Sequence, residues 1–184
     1  MNNNKKILIV DDEENIRRIF KKALEKKYYT VHTSPNAEDA ILKIKNQEYF
    51  MVFSDIFMDS MSGIDLLKEA KEDNPKIKMV VMTAQDTMNN TIEAMRMGAY
   101  DYISKPFDFD AIYTLLDRAE SSRKIQAPSQ SESVVEVYEY GVESIIGKSK
   151  KIQSIFKTIG KSATSDLAVL ITGESGTGKE MVAR

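Results

Sequence analysis

Short apolar runs alternate with stretches whose apolar residues recur every three or four positions, and this rhythm holds from Ile7 to Ala119. Ile7-Leu8-Ile9-Val10 is an unbroken run of the kind buried on both faces of a parallel sheet. After Asp11-Asp12-Glu13-Glu14, the residues Ile16, Ile19, Phe20, Ala23 and Leu24 mark one face of a helix. Its acids stand first and Lys21, Lys22, Lys26 and Lys27 follow, the order that a helix dipole favours. Glu13 and Glu14 read as capping its N-terminus. Tyr28 to His32 reads as a second strand, less apolar and therefore nearer an edge. Ser34-Pro35 reads as a helix opening, a capping hydroxyl followed by proline at the first helical position. Ala37, Ala40, Ile41 and Ile44 supply that helix's buried face.

Met51 to Ser54 reads as strand three. Ile64, Leu67 and Ala70 line a third helix that stops before Asn74-Pro75. Met79-Val80-Val81-Met82 is strand four, ending at Thr83. Met88, Ile92 and Met95 mark a fourth helix closed by Gly98, and Tyr100 to Ile103 is strand five, followed by Ser104-Lys105-Pro106. Ile112, Leu115, Leu116 and Ala119 mark a fifth helix, whose furthest end is about Ile125.

Five strands alternating with five helices indicate an α/β domain: a doubly wound five-stranded parallel sheet of the flavodoxin-like kind. Such sheets bind ligands beyond the carboxyl ends of their strands, at the topological switch point. Those ends deliver Asp11 and Asp12, Asp55, Thr83 and Lys105 to one edge.

Composition narrows the chemistry. With 42% hydrophobic and 29% charged residues the 184-residue chain is globular, and a net charge of −2 gives no overall attraction to nucleic acid. No cysteine means no disulfide, thiolate metal site or thiol nucleophile, and the one histidine, His32, reads as a surface residue. No apolar run is long enough to span a bilayer and the N-terminus lacks a signal-peptide core, so the expectation is cytoplasmic, with no membrane partner.

Clustered carboxylates without His or Cys favour a hard divalent cation, Mg²⁺ above all. With that charge in place one carboxylate can attack a phosphoryl group, giving an aspartyl phosphate, while a lysine neutralises the phosphoryl oxygens. Asp55, from a central strand, suits the nucleophile and Lys105 the cation. Thr83 can donate a hydrogen bond to the phosphoryl group, a trigger for a two-state rearrangement. From the pattern alone Tyr102 is a packed strand residue.

This set, Asp11-Asp12, Asp55, Thr83 and Lys105-Pro106 on this alternation, resembles the receiver domain of two-component response regulators over residues 5–122. The resemblance implies phosphoryl transfer from a sensor histidine kinase to Asp55. It implies Mg²⁺ held by Asp12, Asp55 and the backbone carbonyl of Phe57, with Asp11 acting through water. It also implies Thr83 and Tyr102 as a switch pair. The receiver would be a signalling switch rather than an enzyme, although able to catalyse its own phosphorylation and dephosphorylation. Met58-Asp59-Ser60 departs from the Met-Pro that many receivers carry there. A haloacid-type phosphatase, which also uses an aspartyl nucleophile, needs an acid two residues after it, where this chain has Phe57. A non-phosphorylated pseudo-receiver that only dimerises is the other alternative.

Residues 123–140 read as a serine-rich linker with one proline; within it Val134 to Tyr140 alternates weakly, as either a strand or ordered linker. If the fifth helix runs on into the linker it can pair with its symmetry mate, making a homodimer. In residues 141–184, Ile152, Ile155, Phe156 and Ile159 form a helical face and Leu167 to Ile171 an apolar strand. That run leads into Gly173-Glu174-Ser175-Gly176-Thr177-Gly178-Lys179, a P-loop pattern whose next residue is Glu180 instead of Ser or Thr. With Ile146-Gly147-Lys148-Ser149, this stretch resembles the start of the AAA+ domain of NtrC-type, sigma-54-dependent activators, which carry Glu at that position. That resemblance implies ATP binding at Gly173 to Glu180 and ATPase action in a full-length protein. It implies sigma-54 RNA polymerase and DNA as partners through regions outside this sequence. Residues 141–184 hold too little chain to fold unaided, which makes a fragment of a longer activator the expectation.

Overall fold

The computed structural model of the chain describes residues 5–83, 88–121, 151, 155, 158, 159, 162 and 168–183. In chain order these hold β1 (Lys6–Val10), α1 (Glu14–Glu25), β2 (Thr30–Ser34), α2 (Ala37–Asn46), β3 (Met51–Asp55), α3 (Gly63–Asp73), β4 (Met79–Thr83), α4 (Met88–Arg96), β5 (Asp101–Ser104), α5 (Phe109–Ser121) and α6 (Lys179–Ala183). The stretch 123–140 read as a linker, and Ile146 to Ser149, lie outside the described residues, as do residues 122–125, where the fifth helix was expected to continue.

The five strands form one parallel sheet in the order β2-β1-β3-β4-β5, so the less apolar second strand is indeed an edge. From β1 the chain first moves outward to β2. It then crosses back over β1 to β3 and continues the other way, which makes the β1/β3 boundary the switch point. Alternating side chains of each strand serve two cores. Leu8, Val10, Val52 and Val81 pack under α2, α3 and α4 with Ala40, Leu66, Leu67 and Met95. Ile7, Ile9, Phe53 and Met82 pack under α1 and α5 with Phe20, Leu24, Ile112 and Leu116. Phe20 anchors the second core, edge-on to Phe107 at 4.8 Å between ring centroids.

Four local expectations need correction. β2 begins at Thr30 and not Tyr28, because Tyr28 and Tyr29 close α1: the Tyr28 amide donates to the Glu25 carbonyl (3.0 Å) and the Tyr29 amide to that of Leu24 (3.3 Å). This Schellman-type turn puts Tyr28 at φ +65°, where glycine is usual. Ser34 ends β2, paired with Val10, so Pro35 lies in the turn and Asn36 is the N-cap of α2, accepting the Asp39 amide at 2.9 Å. β5 likewise starts one residue late, at Asp101, which pairs with Val80; the Tyr100 amide before it donates to the Met79 carbonyl. His32 is half-buried, its Nδ1 2.9 Å from the Tyr49 hydroxyl, so it is a partnered residue and not a plain surface one.

Tyr28 is 80% exposed, so relieving its backbone strain loses little packing. Tyr28→Gly is expected to raise the urea midpoint, stabilising by about 0.5–1 kcal/mol once glycine's entropy is set against the left-handed cost. An unchanged or lowered midpoint would mean that the turn is not strained.

Among residues 168–171 no strand forms, against the expectation for Leu167 to Ile171. No described strand lies alongside to pair with the run, and Leu170 is 87% exposed. Lys151, Ile155, Thr158, Ile159 and Ser162 are helical; Ile152, Phe156 and Leu167 lie outside the described residues.

Candidate functional site

The carboxyl ends of β1 and β3 bring Asp11 and Asp55 together at the switch point. The register Val10↔Ser54 puts the two carboxylates one residue beyond paired positions. Asp55 closes a strand buried at all five positions, and Asp11 is fully buried. Asp12 is exposed on the rim, and one oxygen from each of Asp11, Asp12 and Asp55 lies within 4.8 Å of the others. Asp59 is exposed and stands outside this group.

Lys105 enters from the end of β5. Its Nζ donates to Asp55 Oδ2 at 2.7 Å and lies 3.2 Å from Asp11 Oδ2 and 3.6 Å from Glu13 Oε1. Burial works against the Lys105 charge, but its bond to Asp55 and the fields of Asp11 and Asp55 hold its pKa above the ordinary lysine value. Burial pushes the Asp11 carboxyl up to about 6, helped by the Asp55 charge and opposed by Lys105 and the Glu13 amide. Asp55 Oδ1 accepts the Phe57 amide at 3.4 Å, so the loop after β3 folds back over the nucleophile candidate. That loop is pinned where the Gly63 amide donates to the Ile56 carbonyl at 2.9 Å.

Glu13 does not cap α1: its side chain makes no capping bond, and Asp11 Oδ1 takes the Glu13 amide instead, at 2.9 Å. The Glu13 carboxylate faces Lys105. Sequence reading also missed Arg17, whose Nη1 donates to the carbonyls of both Asp11 (2.6 Å) and Asp12 (2.8 Å). The signal available was a cation in the first turn of a helix, where the dipole disfavours it.

β4 ends at Thr83, paired with Ser104, so Thr83 stands beside the approach to Lys105; its side chain lies outside the description. Tyr102 is buried in the core beneath α4, with its amide on Asp101 Oδ1 at 2.8 Å.

The donor set fits a hard divalent cation. Three carboxylates converge, and the buried Asp11 Oδ2 has only the Lys105 ammonium, 3.2 Å away and shared with Asp55, to offset its charge. Mg²⁺ is therefore expected to raise the melting temperature, by an amount corresponding to about 2.7 kcal/mol at a hundredfold excess over its Kd. EDTA should reverse the gain, and millimolar Mg²⁺ without any shift would contradict the fit.

The second motif is described on its own. Gly176 and Gly178 have φ of +80° and +79°, and a Cβ at Gly173 would sit 2.9 Å from Thr177 Oγ1. Lys179 Nζ and Thr177 Oγ1 both donate to the Glu174 carbonyl, at 2.6 and 2.8 Å, so the loop curls around that oxygen. Glu174, Ser175 and Glu180 are exposed, and α6 starts at Lys179.

Comparison with known proteins adds two family matches. The response regulator receiver domain family matches residues 7–117, and the sigma-54 interaction domain family matches residues 145–184. The chain is 33% identical over 178 residues to the DNA-binding transcriptional regulator NtrC of Proteus hauseri, covering 96% of this chain and 37% of that protein. It is 37% identical over 178 residues to the transcriptional regulatory protein ZraR of Klebsiella oxytoca, covering 97% of this chain and 39% of that one. The chain thus spans under two-fifths of the length of these relatives. The crystal structure of the response regulator TrrA from Thermotoga maritima, in complex with Mg²⁺–BeF, superposes with a TM-score of 0.58. It is 30% identical and covers 62% of this chain and 98% of that one.

Proposed function

Since this chain belongs to the response regulator receiver family, we propose that it takes a phosphoryl group onto Asp55 from the phosphohistidine of a sensor kinase. The observation that carries the reading is the meeting of Asp11, Asp12, Asp55 and Lys105 at the switch point of the sheet. In the transfer, the P–O bond to an Asp55 oxygen forms as the P–N bond to the kinase imidazole breaks, and the departing imidazole takes up a proton. The Asp55 carboxylate approaches from a buried strand end that admits little water. Lys105, already on Asp55 Oδ2, sits where it can balance charge on the phosphoryl oxygens. Asp12, Asp55 and the Phe57 carbonyl would hold Mg²⁺, with Asp11 acting through water. Bound there, the ion neutralises the clustered charge and the incoming phosphoryl group. The Mg²⁺–BeF complex of TrrA supports the same ligand class here.

Thr83 and Tyr102 are the proposed switch pair: a phosphoryl group that draws in the Thr83 hydroxyl favours the inward position that the Tyr102 ring already holds here. The receiver extends over 5–122, a linker over 123–140, and a sigma-54 interaction segment over 141–184. The output is control of transcription with sigma-54 polymerase, which the likeness to the transcriptional regulators NtrC and ZraR and the sigma-54 interaction domain match support, with homodimerisation and a downstream ATPase as its proposed means. In that longer context Gly173 to Glu180 would bind the phosphates of ATP, with Lys179 leaving the Glu174 carbonyl for them.

Intact mass after incubation with Mg²⁺ and acetyl phosphate is the test. One labile phosphoryl adduct, lost in Asp55→Asn, is expected; a folded, Mg²⁺-binding protein that gains none would leave only a pseudo-receiver.

A further inference from the structure

The β1–α1 turn is the one part of the site that has to carry two carboxylates close together, one buried and one exposed. Its backbone is held by a residue of the following helix. Arg17 Nη1 donates to the Asp11 carbonyl at 2.6 Å and to the Asp12 carbonyl at 2.8 Å, and the Arg17 amide stays in the helix on the Glu13 carbonyl at 3.2 Å. One guanidinium nitrogen thus bridges the two consecutive carbonyls behind the two carboxylates. The side chain is half-buried, and its placement runs against local preference, since a cation in the first turn opposes the helix dipole. Charge-assisted bonds to two carbonyls offset that cost.

We propose that Arg17 is a positioning residue for the cation site: it clamps the Asp11–Asp12 turn so that both carboxylates are aimed at the ion before it arrives. This rests on the reading of the acidic group as a Mg²⁺ site. The clamp acts through the backbone, as a residue behind the metal ligands does when it fixes their orientation.

The alternative, that Arg17 matters only as a nearby positive charge, makes the opposite forecast. Removing a cation beside an acidic site should strengthen Mg²⁺ binding, whereas removing a clamp should weaken it. Calorimetric titration of Mg²⁺ at fixed pH and ionic strength decides between them, using the full chain and Arg17→Met. The clamp requires the Kd for Mg²⁺ to rise about tenfold or more. It also requires the amides of Asp11 and Glu13, bonded to the Ser34 carbonyl and Asp11 Oδ1, to exchange hydrogen faster in the metal-free variant while those of β3 and β4 do not. Arg17→Gln, a neutral donor that can reach one carbonyl, should fall between wild type and Arg17→Met, and it serves alone if Arg17→Met does not fold. Unchanged or tighter Mg²⁺ binding in the variants overturns the clamp and leaves the function reading standing. A wild-type protein that binds no Mg²⁺ overturns the site reading, and the clamp with it.

Discussion

Gly63→Ala is expected to cost roughly 3 kcal/mol or more and to abolish Mg²⁺-dependent stabilisation. The first residue of α3 lies against the end of β3, and a Cβ built on it would stand 2.0 Å from the Asp55 carbonyl oxygen and 2.8 Å from its carbon. Those are backbone atoms of a central strand, held by β1 on one side and β4 on the other, so they cannot yield as a flexible side chain would. The helix must move instead, which breaks the Gly63 amide's bond to the Ile56 carbonyl and drags the Phe57 amide off Asp55. Urea denaturation with and without Mg²⁺ measures both effects. A variant with the wild-type midpoint would mean that the close approach is not a constraint on the fold.

Lys105→Ala has the second large effect, and it divides by condition. Without a divalent cation the variant loses the ammonium that sits between the carboxylates of Asp55 and Asp11, neither more than 7% exposed at the side chain. Removing one partner of a buried ionic group costs about 3 kcal/mol, less whatever is recovered when Asp11 takes up a proton. With Mg²⁺ present most of that stability should return, because the ion meets less repulsion. Phosphorylation by acetyl phosphate should nonetheless be slower by about 100-fold or more, since the transferring oxygens have lost a preorganised cation. Rapid quench sampling followed by intact mass gives the rate. A variant phosphorylated at the wild-type rate would remove Lys105 from the transfer step.

Much of this was legible in the sequence, for a physical reason. Strands buried on both faces have to be continuous apolar runs, so Ile7–Val10, Met51–Ser54 and Met79–Met82 stand out, and their ends identify the edge where chemistry gathers. The edge strands were less exact because half or more of their residues are only partly buried, so their apolar runs are broken. Tyr28 has the residue type of a strand but ends a helix, so the sequence pattern places β2 two residues early, and Ser34-Pro35 mimics a cap that Asn36 supplies. Asp11, Asp55 and Lys105 could be named because each ends a strand or directly follows one. Arg17 left only a weak signal, a cation in the first turn of a helix, because a bond from a side chain to two carbonyls depends on the turn's path. The close packing of Gly63 on Asp55 was hidden similarly; the sequence offers a glycine in a loop, and only the tertiary contact says why. Val169 and Leu170 show the converse, an apolar run that composition alone makes a strand and that has no strand beside it among the described residues.

The measurement that bears most directly on the account locates the phosphoryl group. An acyl phosphate on aspartate is reduced by borohydride to homoserine, so reduction after incubation with acetyl phosphate and Mg²⁺, followed by peptide mapping, marks the modified residue. Homoserine is expected at position 55 and nowhere else. Homoserine at position 11 or 12 with Asp55 intact, or a phosphate stable to borohydride on a hydroxyl side chain, would contradict it.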